Sequence, residues 1–185
     1  MAMLAACMLV LSGAAGGTVA WLIGESKPVV NTFTYGNIAV SISESDTGDG
    51  DDNPYTNRYH MTPGATIIKD PVVTIAAGSE DAWLFVKMDQ SAHFGDFMTY
   101  QIADGWTPLE DVPCVWYREA KSADIDQHYG VLLDNAVQVR PEVTSAMLGA
   151  MTSSPTLTVT AYAVQRQEIP TALDAWSLIP APTAP

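Results

Sequence analysis

The chain has 185 residues, of which 21 are acidic and 8 are basic, so its net charge is -13 at pH 7. Such an acidic chain repels nucleic acid and anionic membrane surfaces, which argues against both as partners. The length is sufficient for one domain with its own hydrophobic core.

The N-terminal stretch up to Gly24 carries no charged side chain and begins with a short apolar run. Small residues follow, and Thr18 and Ala20 occupy the two positions that a signal peptidase recognises. We therefore predict a cleavable signal peptide over residues 1–20, with the cut between Ala20 and Trp21. The usual N-terminal Lys or Arg is missing. An uncleaved anchor is the alternative, and the protein would then contact a membrane only through this leader.

The cysteine content is that of an exported protein whose fold does not depend on an internal disulfide. Cys7 lies in the predicted leader, so the mature chain keeps only Cys114 and cannot form an internal disulfide. The apolar and aromatic neighbours of Cys114 predict a buried, unreactive thiol.

The mature chain shows the pattern of an all-β protein, with short runs of alternating or β-branched residues separated by turn residues. The predicted strands are Phe33–Ile42, Tyr55–Met61, Thr66–Ala76, Ala82–Met88, Phe97–Ile102, Cys114–Arg118, Val131–Val139 and Thr156–Gln165. Pro71 interrupts the third of these and favours a sheet edge or a bulge there. The stretch Glu44–Asn53 has no apolar residue and predicts a solvated loop, and Asp104-Gly105 predicts a turn.

Two short helices are expected after the main run of strands. The first begins near Pro141, which suits a first helical turn, and its apolar face would comprise Val143, Ala146, Met147, Ala150 and Met151. The second spans Thr171–Trp176. Together these elements predict a two-sheet, jelly-roll-like β-sandwich over residues 35–178, followed by a disordered Pro/Ala tail over residues 179–185.

Several short stretches occur in an ordered series along the chain. They are Gly16-Gly17-Thr18-Val19-Ala20, Asn31-Thr32-Phe33-Thr34, Gly36-Asn37-Ile38-Ala39-Val40-Ser41-Ile42, Pro63-Gly64-Ala65-Thr66, Lys69-Asp70-Pro71-Val72-Val73-Thr74, Thr160-Ala161-Tyr162-Ala163-Val164-Gln165 and Ala172-Leu173-Asp174-Ala175-Trp176. In this order and spacing they resemble the TasA/camelysin family of Gram-positive bacteria. The resemblance covers both ends and the first half of the chain, and residues 89–148 are less distinctive.

This resemblance implies a leader processed by a signal peptidase of the SipW type and a secreted protein of the extracellular matrix or cell surface. It further implies a jelly-roll subunit of biofilm fibres, whose mature N-terminal segment inserts as a donor strand into the next subunit. The corresponding segment here is residues 21–34, and its apolar members are Trp21, Leu22, Ile23, Val29, Val30 and Phe33. The expected partner is therefore the protein itself, in a head-to-tail homopolymer.

Burial of these side chains stabilises by roughly 1.5–3 kcal/mol each, and each new ladder hydrogen bond adds about 0.5–1.5 kcal/mol. Together these can exceed an association cost of about 4–15 kcal/mol. The alternative is that the segment folds back into its own domain. The protein would then be a monomeric secreted or cell-surface binding module or adhesin.

The sequence does not predict an enzyme. Some camelysin-like proteins are classed as metalloproteases, but His60, His93 and His128 stand apart and form no His-Glu-x-x-His motif. No cofactor is expected, and no firm metal site. Asp49, Asp51 and Asp52 are weak calcium candidates, since their spacing departs from the EF-hand order.

Overall fold

The computed structural model describes residues 33–35, 37–45, 57–151 and 153–180. Within these residues the chain is mostly β, as predicted. Its strands are β1 (Phe33–Tyr35), β2 (Val40–Ser43), β3 (Thr66–Ile68), β4 (Val72–Ile75), β5 (Ala82–Gln90), β6 (Met98–Ile102), β7 (Thr107–Pro108), β8 (Val115–Ala120), β9 (Gln127–Gly130), β10 (Leu132–Val139) and β11 (Leu157–Gln165). Its helices are α1 (Phe94–Phe97), α2 (Ser145–Ala150) and α3 (Ala172–Ser177).

The largest sheet has the strand order β1-β11-β5-β8-β7. Its centre is the antiparallel pair of β5 and β11, which is in register from Leu157 opposite Gln90 to Gln165 opposite Ala82. The remaining pairs are antiparallel except for β1, which runs parallel to β11 at the sheet edge. A parallel neighbour requires a crossover connection rather than a hairpin. Strands β1 and β11 are accordingly separated by most of the chain.

Two smaller sheets, with the orders β2-β4-β9 and β3-β10-β6, form the opposite layer. The chain passes from β3 to β4 through Pro71 and from β9 to β10 through Val131, and the Val131 N–H donates to the Pro71 carbonyl at 3.0 Å. The buried side chains of all three sheets meet in one apolar cluster between the layers. This arrangement of two packed β layers is consistent with a sandwich.

Strand β11 is buried on both faces, which its alternating sequence did not indicate. Val159, Ala161 and Ala163 lie in the cluster between the layers. Tyr162 and Val164 lie in a second cluster on the outer face of the sheet, together with Ala175 from α3. Helix α3 therefore covers the outer face of the central strands.

Several predicted elements are confirmed. The strand interruption at Pro71 is observed, although Pro71 is buried between two sheets rather than at an exposed edge. The turn at Asp104-Gly105 is present. The last helix is also confirmed: the hydroxyl of Thr171 accepts from the Asp174 N–H at 3.1 Å, which caps the start of α3.

Two predicted strands and one predicted helix differ from the structure. The single strand over Phe33–Ile42 is two strands, β1 and β2, because their partners lie in different sheets. The described part of Tyr55–Met61, residues 57–61, contains no strand. The Tyr59 side chain in this stretch donates a hydrogen bond to the Glu44 carboxylate.

The helix expected from Pro141 begins only at Ser145, because the Thr144 hydroxyl accepts the Met147 N–H and sets the helix start there. The predicted apolar face is also incorrect. Val143 is buried ahead of the helix, whereas Ala146 and Ala150 are exposed. The four-residue helix α1 was not predicted, and none of the described helices is long and apolar enough to cross a membrane.

Candidate functional site

A cavity of about 600 Å³ opens between the two layers, beside the start of β11. Most of its wall is apolar and comes from widely separated parts of the chain. The apolar residues include Ile42, Met61, Ile67, Phe94, Met98, Val137 and Val159. We call this cavity the edge groove, because one side of it is formed by Leu157, Thr158 and Val159 at the edge of the large sheet.

The backbone of β11 has an open side at this groove. Successive residues of a strand direct their N–H and C=O groups alternately to its two sides. The Thr156 carbonyl accepts from Ser91 at 3.0 Å and the Arg166 N–H donates to Asp81 at 2.8 Å, so residues of even number face β5. Residues of odd number therefore face the opposite side.

On that opposite side, the described residues provide only a short partner. Strand β1 pairs with Tyr162 to Val164 and ends there. No described strand pairs with Leu157 to Ala161 on the same side. Among the described residues, the N–H and C=O groups of Leu157 and Val159 and the N–H of Ala161 therefore have no strand partner on this side. A sheet edge of this kind can accept a further strand.

A polar cluster lies at the mouth of the edge groove. The Lys69 ammonium contacts both carboxylate oxygens of Glu44, at 2.8 and 3.0 Å, and the Tyr59 hydroxyl donates to the same carboxylate at 2.6 Å. Burial raises the pKa of the Tyr59 phenol well above its ordinary value, and the hydrogen bond and negative charge of Glu44 raise it further. This cluster fixes the position of Glu44 at the groove wall.

Further hydrogen bonds hold the two ends of the acidic stretch against the same wall. The Asp70 carboxylate accepts from the Ser45 N–H at 2.9 Å and from the Ser45 hydroxyl at 2.7 Å. The Asn57 side chain donates to the Ser45 carbonyl at 3.0 Å. Residues 45 and 57, which flank the acidic stretch, therefore lie close together beside the groove.

The sequence-predicted site residues fall mostly outside the described residues. This holds for the predicted cleavage site, Ala20 and Trp21, for the donor residues Leu22, Ile23, Val29 and Val30, and for the calcium candidates Asp49, Asp51 and Asp52. Phe33 is the exception: its backbone lies in β1, in parallel register with Tyr162.

The structure shows the surroundings of the candidate metal ligands His93 and His128 and of the Cys114 thiol. The His93 ring lies 3.1 Å from Asp96 and the His128 ring 2.9 Å from the Thr74 hydroxyl, and no three potential metal-ligand side chains cluster within the part of the chain that the structure describes. The prediction of a buried Cys114 is wrong. Its thiol is exposed, because residue 114 lies in the turn before β8, with a φ of 62°.

The sequence analysis did not predict the edge groove or the residues that line it. Met61, Met98 and Val137 are far apart in the chain and carry no shared motif, so only the fold brings them together. The one local signal was Pro71, which separates β3 from β4 and lies in the groove wall. Comparisons with protein-family models, with curated proteins and with solved structures each found no match.

Proposed function

We propose that the protein is an exported structural subunit of an extracellular fibre with a jelly-roll-like domain. In this proposal the mature N-terminal segment of one copy adds as a strand to the open edge of β11 in the next copy. The observation that carries the proposal is the edge from Leu157 to Ala161, which pairs with no described strand on its outer side and lies beside an apolar groove. The resemblance to TasA/camelysin proteins points to the same function.

The backbone geometry supports strand addition at this edge. An incoming strand would pair with the N–H and C=O groups of Leu157 and Val159 and with the N–H of Ala161, each bond contributing about 0.5–1.5 kcal/mol. Strand β1 already runs parallel to β11 at Tyr162 to Val164. Continuation of β1 in this register would bring the chain's own Val29 and Val30 opposite Thr158 and Val159. A donor strand from another copy would therefore compete with the chain's own segment for this edge.

The side chains of the groove support the same occupant. Its apolar wall matches the apolar side chains Trp21, Leu22, Ile23, Val29 and Val30, which lie on either side of the polar stretch Gly24 to Pro28. Each large apolar side chain transferred from water into the groove would stabilise the complex by roughly 1.5–3 kcal/mol. Because the donor segment and the acceptor groove are different surfaces, the contact is head-to-tail and extends into a filament.

The same segment could instead fill the groove of its own copy, which would produce the monomeric binding module. The two arrangements differ in whether assembly depends on concentration. In the polymer the segment bridges two copies, so filament mass increases with protein concentration. In the monomer the segment stays within one copy, so no filament forms at any protein concentration.

The test is electron microscopy of two purified proteins at matched concentrations, one beginning at Trp21 and one beginning at Thr34. We expect filaments from the first and monomers from the second. A synthetic peptide of residues 21–33, added in excess to the first protein, should occupy the grooves and shorten the filaments. A monomeric chain from Trp21 over a range of concentrations and salts would contradict the proposal and favour the binding module.

A further inference from the structure

The guanidinium of Arg118, on β8, packs against two aromatic rings at a place separate from the edge groove. Its central carbon lies 4.0 Å from the ring centre of Tyr129 and 5.4 Å from that of Trp106. Both contacts are within the range of favourable cation–π interactions. Arg118 pairs in register with Leu84, near the start of β5, whereas the edge groove lies by the end of β5.

The two rings are themselves held in place. The Trp106 indole N–H donates to the Gly130 carbonyl at 2.8 Å, and the Tyr129 hydroxyl donates to Gln127 at 2.6 Å. The backbone of Gly105 closes a further side, since a Cβ at that position would lie 3.2 Å from one terminal nitrogen of Arg118. The orientation of the guanidinium plane is therefore fixed before any ligand arrives.

None of the five N–H donors of this guanidinium has an acceptor among the described residues. The Nε atom of Arg118 is the one buried side-chain nitrogen or oxygen in the described part of the chain that lacks a hydrogen-bond partner. The terminal nitrogens are not buried in this way. No described carboxylate lies within ion-pair distance of Arg118, although Arg166 is only 2.7 Å from Glu119.

We propose that Arg118 binds a carboxylate, which is supplied by a soluble ligand or by an acidic side chain of a second copy of the chain. A buried polar group without a partner is uncommon in folded proteins. The Nε atom is closed to an incoming ligand, so the ligand would pair with the two terminal nitrogens, which are accessible and have no acceptor among the described residues. The guanidinium has a planar fork that matches the two oxygens of a carboxylate.

The electrostatic environment favours the same class of ligand. Burial lowers the pKa of the Arg118 guanidinium below its ordinary value, because its charge is only partly solvated. A bound carboxylate would compensate that loss of solvation. The inference does not depend on the proposed fibre function, since neither the edge groove nor the N-terminal segment takes part in it.

The experiment is modification of the full chain by phenylglyoxal, which reacts with accessible guanidinium groups, followed by peptide mass spectrometry. The rate at Arg118 is compared in sodium acetate, sodium phosphate and sodium chloride at equal ionic strength. Arg140 serves as the internal control, since its Nε donates to the Gly95 carbonyl and its side chain is exposed. Acetate at about ten times its Kd should slow the Arg118 reaction about tenfold and leave Arg140 unchanged relative to chloride.

Equal rates at Arg118 in acetate and chloride would overturn the proposal, as would protection by phosphate without protection by acetate. The source of the carboxylate follows from the same assay at several protein concentrations without acetate. If a second copy supplies the carboxylate, the Arg118 reaction slows as the protein concentration rises. If the carboxylate is a soluble ligand, the rate is independent of protein concentration and only acetate protects.

Discussion

At the scale of single residues, the ion pair of Glu44 and Lys69 is the most enclosed in the described part of the chain. Their side chains are 13% and 12% exposed. The substitution Lys69→Met would leave the Glu44 carboxylate poorly solvated and without its cation. We expect the free energy of unfolding to fall by about 2 kcal/mol, measured by urea denaturation.

The matched control is Lys87→Met, since Lys87 pairs with an Asp89 carboxylate that is 52% exposed. Its cost should be below about 1 kcal/mol. The double variant E44Q K69M removes both charges and should be more stable than Lys69→Met alone. A cost at Lys69 no larger than at Lys87 would show that the groove mouth is solvated.

The tyrosines give the protein an alkaline stability limit. Burial raises the pKa of Tyr59, Tyr100 and Tyr162 above the ordinary value, which is about 10 in an unfolded chain. The folded state therefore holds these protons more tightly, so the stability they contribute is complete below about pH 10 and is lost as the pH rises towards the folded values.

We expect the urea midpoint to fall as the pH rises from about 10 to about 12. The variant Tyr59→Phe, which has no phenol to ionise at this position, should lose less stability over that interval than the unmodified protein. Identical pH dependence for the two proteins would mean that Tyr59 is solvated. The comparison uses the slope against pH, so the cost of losing the hydrogen bond to Glu44 does not affect it.

At the scale of the secondary-structure elements, α3 closes the outer face of the large sheet. The Trp176 ring lies 5.3 Å from that of Phe85 and 5.4 Å from that of Tyr162, both as tilted or edge contacts. The substitution Trp176→Ala should lower the free energy of unfolding by about 3 kcal/mol. Leu173→Ala, on the exposed side of the same helix, should cost less than about 0.5 kcal/mol. Similar costs for the two would contradict the packing of α3 on the sheet.

The sequence predicted those strands and helices that are determined by residues close together in the chain. The β-branched and aromatic run of Ala82 to Met88 identified β5. The short helix predicted over Thr171–Trp176 is α3, whose start the Thr171 hydroxyl caps. The division of residues 33–43 into two strands could not be predicted in this way. It depends on pairing with Tyr162 in one sheet and Ile75 in another, both remote in sequence.

The candidate site was predictable only in part, for the same physical reason. The apolar residues of the N-terminal segment could be read from the sequence, and the resemblance to the TasA/camelysin family implied that they form a donor strand. The groove draws residues from several separate stretches of the chain, so no window of sequence contains it. The exposed Cys114 was missed because a local apolar setting does not reveal a turn with positive φ.

At the scale of the whole molecule, charge opposes association of identical copies. Each chain carries a net charge of -13, and salt shortens the range of repulsion from about 10 Å at 0.1 M to about 3 Å at 1 M. We expect filament growth, followed by light scattering, to accelerate as sodium chloride is raised. Calcium chloride at equal ionic strength is the control: a larger acceleration with calcium would implicate the acidic stretch containing Asp49, Asp51 and Asp52. Growth that does not respond to salt would contradict the prediction.

The acceptor edge itself is tested most directly by two substitutions at Leu157 in the chain that begins at Trp21. Leu157→Pro removes an N–H on the open side of β11 and leaves the bonds to β5 intact, since proline is tolerated at the first residue of a strand. Leu157→Ala removes the side chain but keeps the N–H. Electron microscopy at matched concentration should show filaments for Leu157→Ala and few or none for Leu157→Pro. Filaments of equal length and number from both variants would contradict strand addition at the edge of β11.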